Sequence, residues 1–378
     1  MPRLALTRKG ALRVAAIWVV WSLAIVTLAS LAMTLPVANS SPWTAVYDAP
    51  PLARWDAVWY RSIAAEGYHL RGPQGDGNVG WYPLYPIVLR LVSGVLGAPI
   101  LWAGIGLSLL FLLPGLLLMA DLFAEWGGEE SVLPGIASVL LFPTSFYFAS
   151  VYSESLFLLT TALAIWAARR GSWLIAAPAG FLAALTRFNG ALVVFPIAWY
   201  AVHAARKQGR RLLPAAAVAT TLVGAAAYPA YLWARFGDPL LYVHDRIRGS
   251  SVQPRTLWGM GPWLVGQIRG RLAGPPSPEN LSFAVELLTI VLFVVLVVGL
   301  FPRKLFAEAI YAGATILLLL HSGTVAGLDR YVLVLFPCFF ILAEYLRRRP
   351  VAAFGYVLAS AGLGGVFLHR FVHWIMVS

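Results

Sequence analysis

The stretch Arg54–Tyr68, RWDAVWYRSIAAEGY, sets a carboxylate, Asp56, between Trp55 and a second aromatic pair, Trp59 and Tyr60. A long apolar run lies before it, and another, YPLYPIVLRLVSGVLG at 82–97, follows. Asp is a favoured helix N-cap and the residues from Ala57 onward read as helix, so one reading of Asp56 is a cap alone. The other is chemical, since acidic residues are scarce in this chain and one is placed here at the edge of greasy segments.

The surroundings are those of a membrane protein. Of 378 residues, 60% are hydrophobic and 12% charged, against about 45–50% and about 25% in a soluble domain. Mean hydropathy is +0.77. The formal net charge of +12 suits loop orientation and anionic headgroups. No basic stretch forms a separate nucleic-acid-binding unit, so nucleic acid is not an expected partner. The single cysteine, Cys338, sits in an apolar segment and reads as packing. The first apolar run, 14–35, is about 22 residues, longer than the ~7–15 of a cleaved signal, and reads as a span.

Eleven segments are apolar enough to be candidate spans: 14–35, 101–123, 132–150, 153–168, 173–187, 190–205, 212–233, 281–301, 305–321, 331–346 and 351–370. The fold class expected is an all-α polytopic membrane protein, a single unit over 1–378. Placing the basic N-terminus in the cytoplasm puts Arg169-Arg170, Arg206 to Arg211, Arg303-Lys304, Arg347 to Arg349 and all three lysines on that side. This alternation requires that 82–97, short and carrying Pro83, Pro86 and Arg90, lie in the interface rather than cross. Two long outer loops result, 36–100 and 234–280, and the second carries six arginines and no lysine. The glycine-rich GPQGDGNVG at 72–80 lacks the Gly-Lys-Ser/Thr of a phosphate loop and reads as a turn.

Span counting brings the outer polar residues to one end of the bundle: Asp56, then Ser153, Glu154 and Ser155 of YSESLF, Arg187 and Asn189 of LTRFNG, His321, and Asp329-Arg330 of GLDRYVL. Each has a plainer reading. Glu154 can pair with Arg187 and hold helices together, His321 can be a hydrogen-bonded interfacial histidine, and Arg330 can snorkel to headgroups. No metal-ligand spacing and no Gly-x-Ser-x-Gly elbow appears, so no cofactor is expected, although Asp56, Glu154, His321 and Asp329 could assemble a divalent-metal site in three dimensions. One carboxylate facing several arginines suits transfer of a group from a phosphate leaving group to a hydroxyl. The carboxylate takes the proton, and guanidiniums hold the phosphate.

RWDAVWYRSIAAEGY followed by WYPLYP (81–86) resembles the family of the second GPI mannosyltransferase, PIG-V, and its bacterial relatives. YSESLF, LTRFNG, FGDPL (236–240) and RYVLVLFP (330–337) resemble later motifs of that family in the same order. The similarity covers roughly 50–340, with Trp81 and Phe188 as mild departures. The resemblance implies a GT-C fold of about eleven transmembrane helices, whose large first outer loop carries interfacial helices. It also implies a polyprenyl-phosphate sugar donor, inversion at the sugar, and Asp56 as catalytic base. The expected donor-phosphate ligands are Arg187, Arg330, Arg246 and Arg248. Arg54, Trp55, Trp59, Tyr60, Tyr82, Glu154, Asn189 and His321 are expected to contact substrate. Loop lengths look bacterial, so the expected setting is the plasma membrane with an extracytoplasmic site, a glycan or lipid-linked acceptor, and lipid contacts. A flippase without chemistry and a non-catalytic lipid-binding scaffold are the competing classes; charges gathered at one surface rather than mid-membrane weigh against the first.

Overall fold

The computed structural model describes residues 4–37, 49–70, 77–209, 211–249, 253–272, 274, 278–375 and 377, and among these there is no strand. The glycine-rich stretch 72–80 lies outside the described residues up to 76. Helix α1 (Arg8–Ala32) is followed by two short helices, α2 (Ala57–Glu66) and α3 (Leu84–Leu96). Then come α4 (Ile100–Gly127), α5 (Val132–Leu140), α6 (Glu154–Arg169), α7 (Trp173–Thr186), α8 (Val194–Gln208) and α9 (Leu212–Phe236). Two helices, α10 (Leu241–Gly249) and α11 (Leu257–Leu272), precede α12 (Pro278–Leu300) and α13 (Phe306–His321). A five-residue helix, α14 (Leu328–Val332), leads to α15 (Phe336–Arg347) and α16 (Pro350–Val372).

Every one of the eleven candidate spans contains helix, but by length and composition six helical segments suffice to cross a bilayer unaided. Several of the others are cut short by proline at one end. The segment 132–150 is helical only to Leu140, and Pro143 and a 3₁₀ turn at Ser145–Phe148 follow. The segment 331–346 is split at 333–335, and Pro337 stands in the first turn of the helix that resumes at Phe336, where its missing N–H costs no bond. Even 190–205, which belongs to one of the six, opens as a 3₁₀ turn, Phe188–Val193, before Pro196. These breaks free backbone at the end of the bundle that holds Asp56.

The helices pack as a ring: α4 on α6, α6 on α7, α7 on α9, α9 on α8, α8 on α13, α13 on α12, α12 on α15, α15 on α5 and α5 back on α4. Helix α1 lies against α4, α5 and α16 on the outside. The core is built of Phe, Leu and Ala, with Cys338 fully buried in it. Large apolar side chains such as Val20, Leu23, Val295 and Phe354 remain exposed around the perimeter, as lipid contact requires. Helix α3 buries Tyr85, Leu89 and Ser93 and exposes Ile87, Leu91, Val95 and Leu96. At 13 residues it is too short to span, since a crossing needs about 20.

The two polar sets read from the sequence occupy different ends. At one, Asp121 accepts Ala5 N and Leu6 N at 2.6 and 2.8 Å and pairs with Arg170 at 2.6 Å. Glu125 bonds Arg169, and Glu344 meets Arg303 at 3.1 Å and Arg347 at 3.2 Å. The other end is built around Asp56.

Candidate active site

Asp56 occupies the N-cap of α2, yet its side chain makes no capping hydrogen bond. The cap reading therefore fails for the side chain, because the carboxylate is drawn to a cation. Arg330 Nη1 donates to Asp56 Oδ2 at 2.7 Å. Arg330 Nε lies 3.2 Å from Glu154 Oε1, and Arg187 Nη1 donates to that same oxygen at 2.5 Å. A zigzag of carboxylates and guanidiniums thus links the starts of α2 and α6, the turn after α7, and α14. Glu154 is fully buried, while Asp56 keeps 23% of its side chain exposed. Of the two acids, Asp56 is the one a substrate can reach.

Aromatic rings line this chain of charges. The Arg330 guanidinium lies over Tyr152 at 5.2 Å, Tyr147 at 5.5 Å and Tyr331 at 5.2 Å, and Arg187 lies over Tyr331 at 4.5 Å. Tyr152 also fixes the backbone of the Asp56 loop. Its hydroxyl donates to Arg54 O and accepts from Asp56 N, both at 3.1 Å. Tyr60 joins the cluster through its hydroxyl, 2.9 Å from Ser153 Oγ. Trp55 has φ 54, a left-handed conformation that a bulky residue rarely adopts. Its strain turns the chain so that α2 can start with Asp56 facing Arg330.

Burial pushes the Asp56 carboxyl up, but the nearby Arg330 and Arg246 guanidiniums outweigh it and hold the group below its ordinary range. Arg246, on α10, reaches the same crevice: it lies over Trp81 at 5.1 Å and donates to Gly80 O at 3.3 Å. Trp81 stacks on Trp59 with centroids 4.8 Å apart. Asp56, Arg187, Arg246, Arg330, Trp81 and Tyr331 line one small crevice, which adjoins a cavity of about 330 Å³ lined also by Tyr242, Leu318 and His321.

The remaining expected residues spread out. Tyr82 is buried in a tyrosine cluster, 4.9 Å from Tyr228 and 5.6 Å from Tyr242, and also lines the crevice. Asn189 is fully buried in its 3₁₀ turn, and its amide has no hydrogen-bond partner among the described residues. His321 Nδ1 lies 2.5 Å from Arg255 O, as an interfacial histidine would. Arg248 is exposed on α10 and, among the described residues, hydrogen-bonds its own helix at His244 O, 3.3 Å. Arg54 is turned away from the crevice: it bonds Val372 O at 3.0 Å and Ala49 O at 2.7 Å and lies over Trp374 at 5.4 Å. Tyr147, Tyr152 and Trp81 were not among the expected site residues. The signal for Tyr152 was its place beside Glu154 in YSESLF, and for Trp81 its place in WYPLYP. Among the described residues, no three His, Cys, Asp or Glu side chains group so as to hold a metal ion.

No family model and no curated protein matches the sequence. Among solved structures the chain is similar to ArnT from Cupriavidus metallidurans bound to undecaprenyl phosphate, with a TM-score of 0.52 and 17% identity over 89% of this chain and 60% of that one. The apo form of that protein gives a TM-score of 0.48 at 17% identity, over 91% and 62%. This chain therefore spans about three-fifths of the length of the structure it matches. At such identity the likeness speaks to fold, and it is to a GT-C glycosyltransferase: this chain is an all-helical integral membrane protein with a GT-C fold.

Proposed function

We propose that the chain is an inverting glycosyltransferase that moves a sugar from a polyprenyl-phosphate carrier to a hydroxyl acceptor. The observation that carries this is the partly open Asp56 carboxylate held by Arg330 in a crevice shared with Arg187 and Arg246. The acceptor O–H gives its proton to Asp56 as its oxygen bonds the sugar's anomeric carbon. The bond from that carbon to the phosphate oxygen breaks, and the electron pair leaves with the polyprenyl phosphate. Charge grows on the departing phosphate, where Arg187, Arg246 and Arg330 supply planar forks rather than point charges. Trp59, Trp81, Tyr60 and Tyr331 keep water, a competing acceptor, from the reacting centre. The structurally similar ArnT is bound to undecaprenyl phosphate, which is consistent with a lipid-linked phosphate here.

The narrower reading is mannose as the sugar, PIG-V-like kinship, and a site on the outer face of a bacterial plasma membrane. It rests on the motif strings and on the distribution of basic residues. The test is transfer from labelled polyprenyl-phosphate-mannose by the purified chain, with product configuration read by NMR. A product retaining the donor's anomeric configuration, or lipid movement with no transfer, sinks the proposal.

A further inference from the structure

Trp81 is held more firmly than a water-excluding ring requires. The Tyr68 hydroxyl donates to Trp81 O at 2.8 Å, and Arg246 Nη2 donates to the preceding carbonyl, Gly80 O, at 3.3 Å. The indole stacks on Trp59, with centroids 4.8 Å apart and planes 21° from parallel, and the Arg246 guanidinium lies over it at 5.1 Å. An indole fixed in backbone and in plane points its one polar atom, Nε1–H, in one direction. That direction is toward Asp56: the N–H is close enough to help hold the Asp56 carboxyl below its ordinary range. Yet the N–H is buried and makes no hydrogen bond, to Asp56 or otherwise, among the described residues. A buried donor without an acceptor is costly and calls for a partner.

The space beside it says what that partner is. Trp81 and Asp56 line the same crevice, whose volume of about 20 Å³ has room for one water-sized group. An indole only donates, and an ionised carboxylate only accepts. A group that bonds both is a hydroxyl. An ether oxygen lacks the proton for Asp56, and a phosphate oxygen would stand against the carboxylate's charge. Position narrows which hydroxyl. On the transferase reading, Asp56 stands beside the oxygen that attacks the anomeric carbon. A sugar hydroxyl that also reaches Asp56 is then the one on the neighbouring carbon, C2. The ring oxygen is equally near the anomeric carbon but has no proton to give. The rest of the sugar extends into the adjoining cavity of about 330 Å³, which shares Gly80, Phe188, Arg246 and Tyr331 with the crevice.

We propose that Trp81 is a specificity-determining residue, whose indole N–H reads the C2 hydroxyl of the sugar carried by the lipid-linked donor. A site built to bond a hydroxyl discriminates against a sugar that lacks it, because its own polar groups are then left unpaired. The assignment rests on the transferase reading, and the test keeps the two apart. The purified chain in phosphatidylcholine nanodiscs is titrated with polyprenyl phosphate, with its mannose and glucose esters (epimers at C2), with their common 2-deoxy analogue, and with phosphatidylglycerol as a plain anionic lipid. Bound lipid is read by native mass spectrometry. The wild type is expected to bind one C2 epimer about three- to tenfold better than the 2-deoxy analogue, as one hydrogen bond gives. Trp81→Phe is expected to bind all three sugar lipids alike and polyprenyl phosphate as the wild type does. Benzothienylalanine at position 81, which keeps the bicycle and puts sulfur in place of N–H, is expected to do the same and separates the N–H from the ring's packing. A wild type indifferent to C2, or a preference that survives benzothienylalanine, overturns the assignment. Equal loss of polyprenyl phosphate and sugar lipids in both variants also overturns it and leaves Trp81 a packing role. A wild type that binds the polyprenyl lipids no better than phosphatidylglycerol overturns the transferase reading, and this assignment with it.

Discussion

Arg330 holds two carboxylates of opposite character: it bonds Asp56, which is partly open, at 2.7 Å and lies 3.2 Å from Glu154, which is sealed. One acid is open to solvent, and the other is the buried partner that Arg187 and Arg330 share.

Asp56→Asn is therefore expected to fold and to bind donor while transfer falls by about 10²–10⁴. The Asp56 side chain makes no capping bond that the change could remove. Transfer assays beside thermal unfolding check this; near-normal activity removes Asp56 as the base.

The lowered Asp56 carboxyl predicts a pH profile. Burial raises it, Arg330 and then Arg246 lower it further, and the net position is below the ordinary 3.8. The group is thus ionised at neutral pH. Because its folded value is the depressed one, its contribution to stability is present above 3.8 and is lost as pH falls through the lower folded value. In Arg330→Gln the largest lowering influence is lost, so the acid limb of transfer at saturating donor is expected to move up in pH. On the proposed mechanism, the donor's phosphate beside Arg330 would act in the same direction and make Asp56 a better base. Superimposable pH profiles for the two proteins refute this account.

Glu154→Gln is expected to act on stability first. Two buried guanidiniums lose their shared partner, and breaking such a pair costs about 3–5 kcal/mol. Denaturation should show the loss without donor present. A variant as stable as the wild type but inactive would instead make Glu154 a participant in the chemistry.

Arg246 and Arg248 separate two roles that look alike in sequence. Arg246 stacks on Trp81 within the crevice, whereas Arg248 is exposed on the same helix. Arg246→Ala should weaken donor binding about tenfold or more, and Arg246→Lys should restore little of it, because the planar fork is lost. Arg248→Ala should bind donor as the wild type does. Equal losses at both positions would mean that general surface charge, not the crevice, attracts the donor.

Topology is open to labelling. Glu66 and Lys207 are exposed near opposite ends of the bundle and Cys338 is buried, so single cysteines at the first two positions report sidedness without background. An impermeant thiol reagent should reach Glu66→Cys from outside and Lys207→Cys only after the membrane is opened. Labelling of both from one side contradicts the assigned orientation.

The convergence of Asp56, Glu154, Arg187 and Arg330 was legible because ions are too costly in apolar segments to be placed without partners, and span alternation put these at one end. The plain reading of Glu154 paired with Arg187 was legible too, and both Asp56 and Glu154 use the same cation. What escaped is long-range. Arg54 lies two residues from Asp56 but turns toward Val372, and no local pattern tells which way an arginine turns. Trp374 meets Trp55 across almost the whole chain, with no motif of its own. The breaks before Pro196 and Pro337 were written in the sequence, but an apolar run of constant hydropathy hid them from span counting.

Four helices that end at the site are short: α6 has 16 residues, α7 14, α13 16 and α15 12. At about 1.5 Å per residue they reach roughly 18–24 Å, against a hydrocarbon core of about 30 Å. Glu154 opens the first, Arg187 follows the second, His321 closes the third, and Arg330 stands just before the fourth. Most of the first and the fourth of these helices is buried within the bundle rather than turned to lipid, so their shortness leaves the charged residues at their ends short of the reach of a full span. A lipid-linked phosphate, the proposed donor group, is then expected to meet them near the edge of the hydrocarbon rather than far above it.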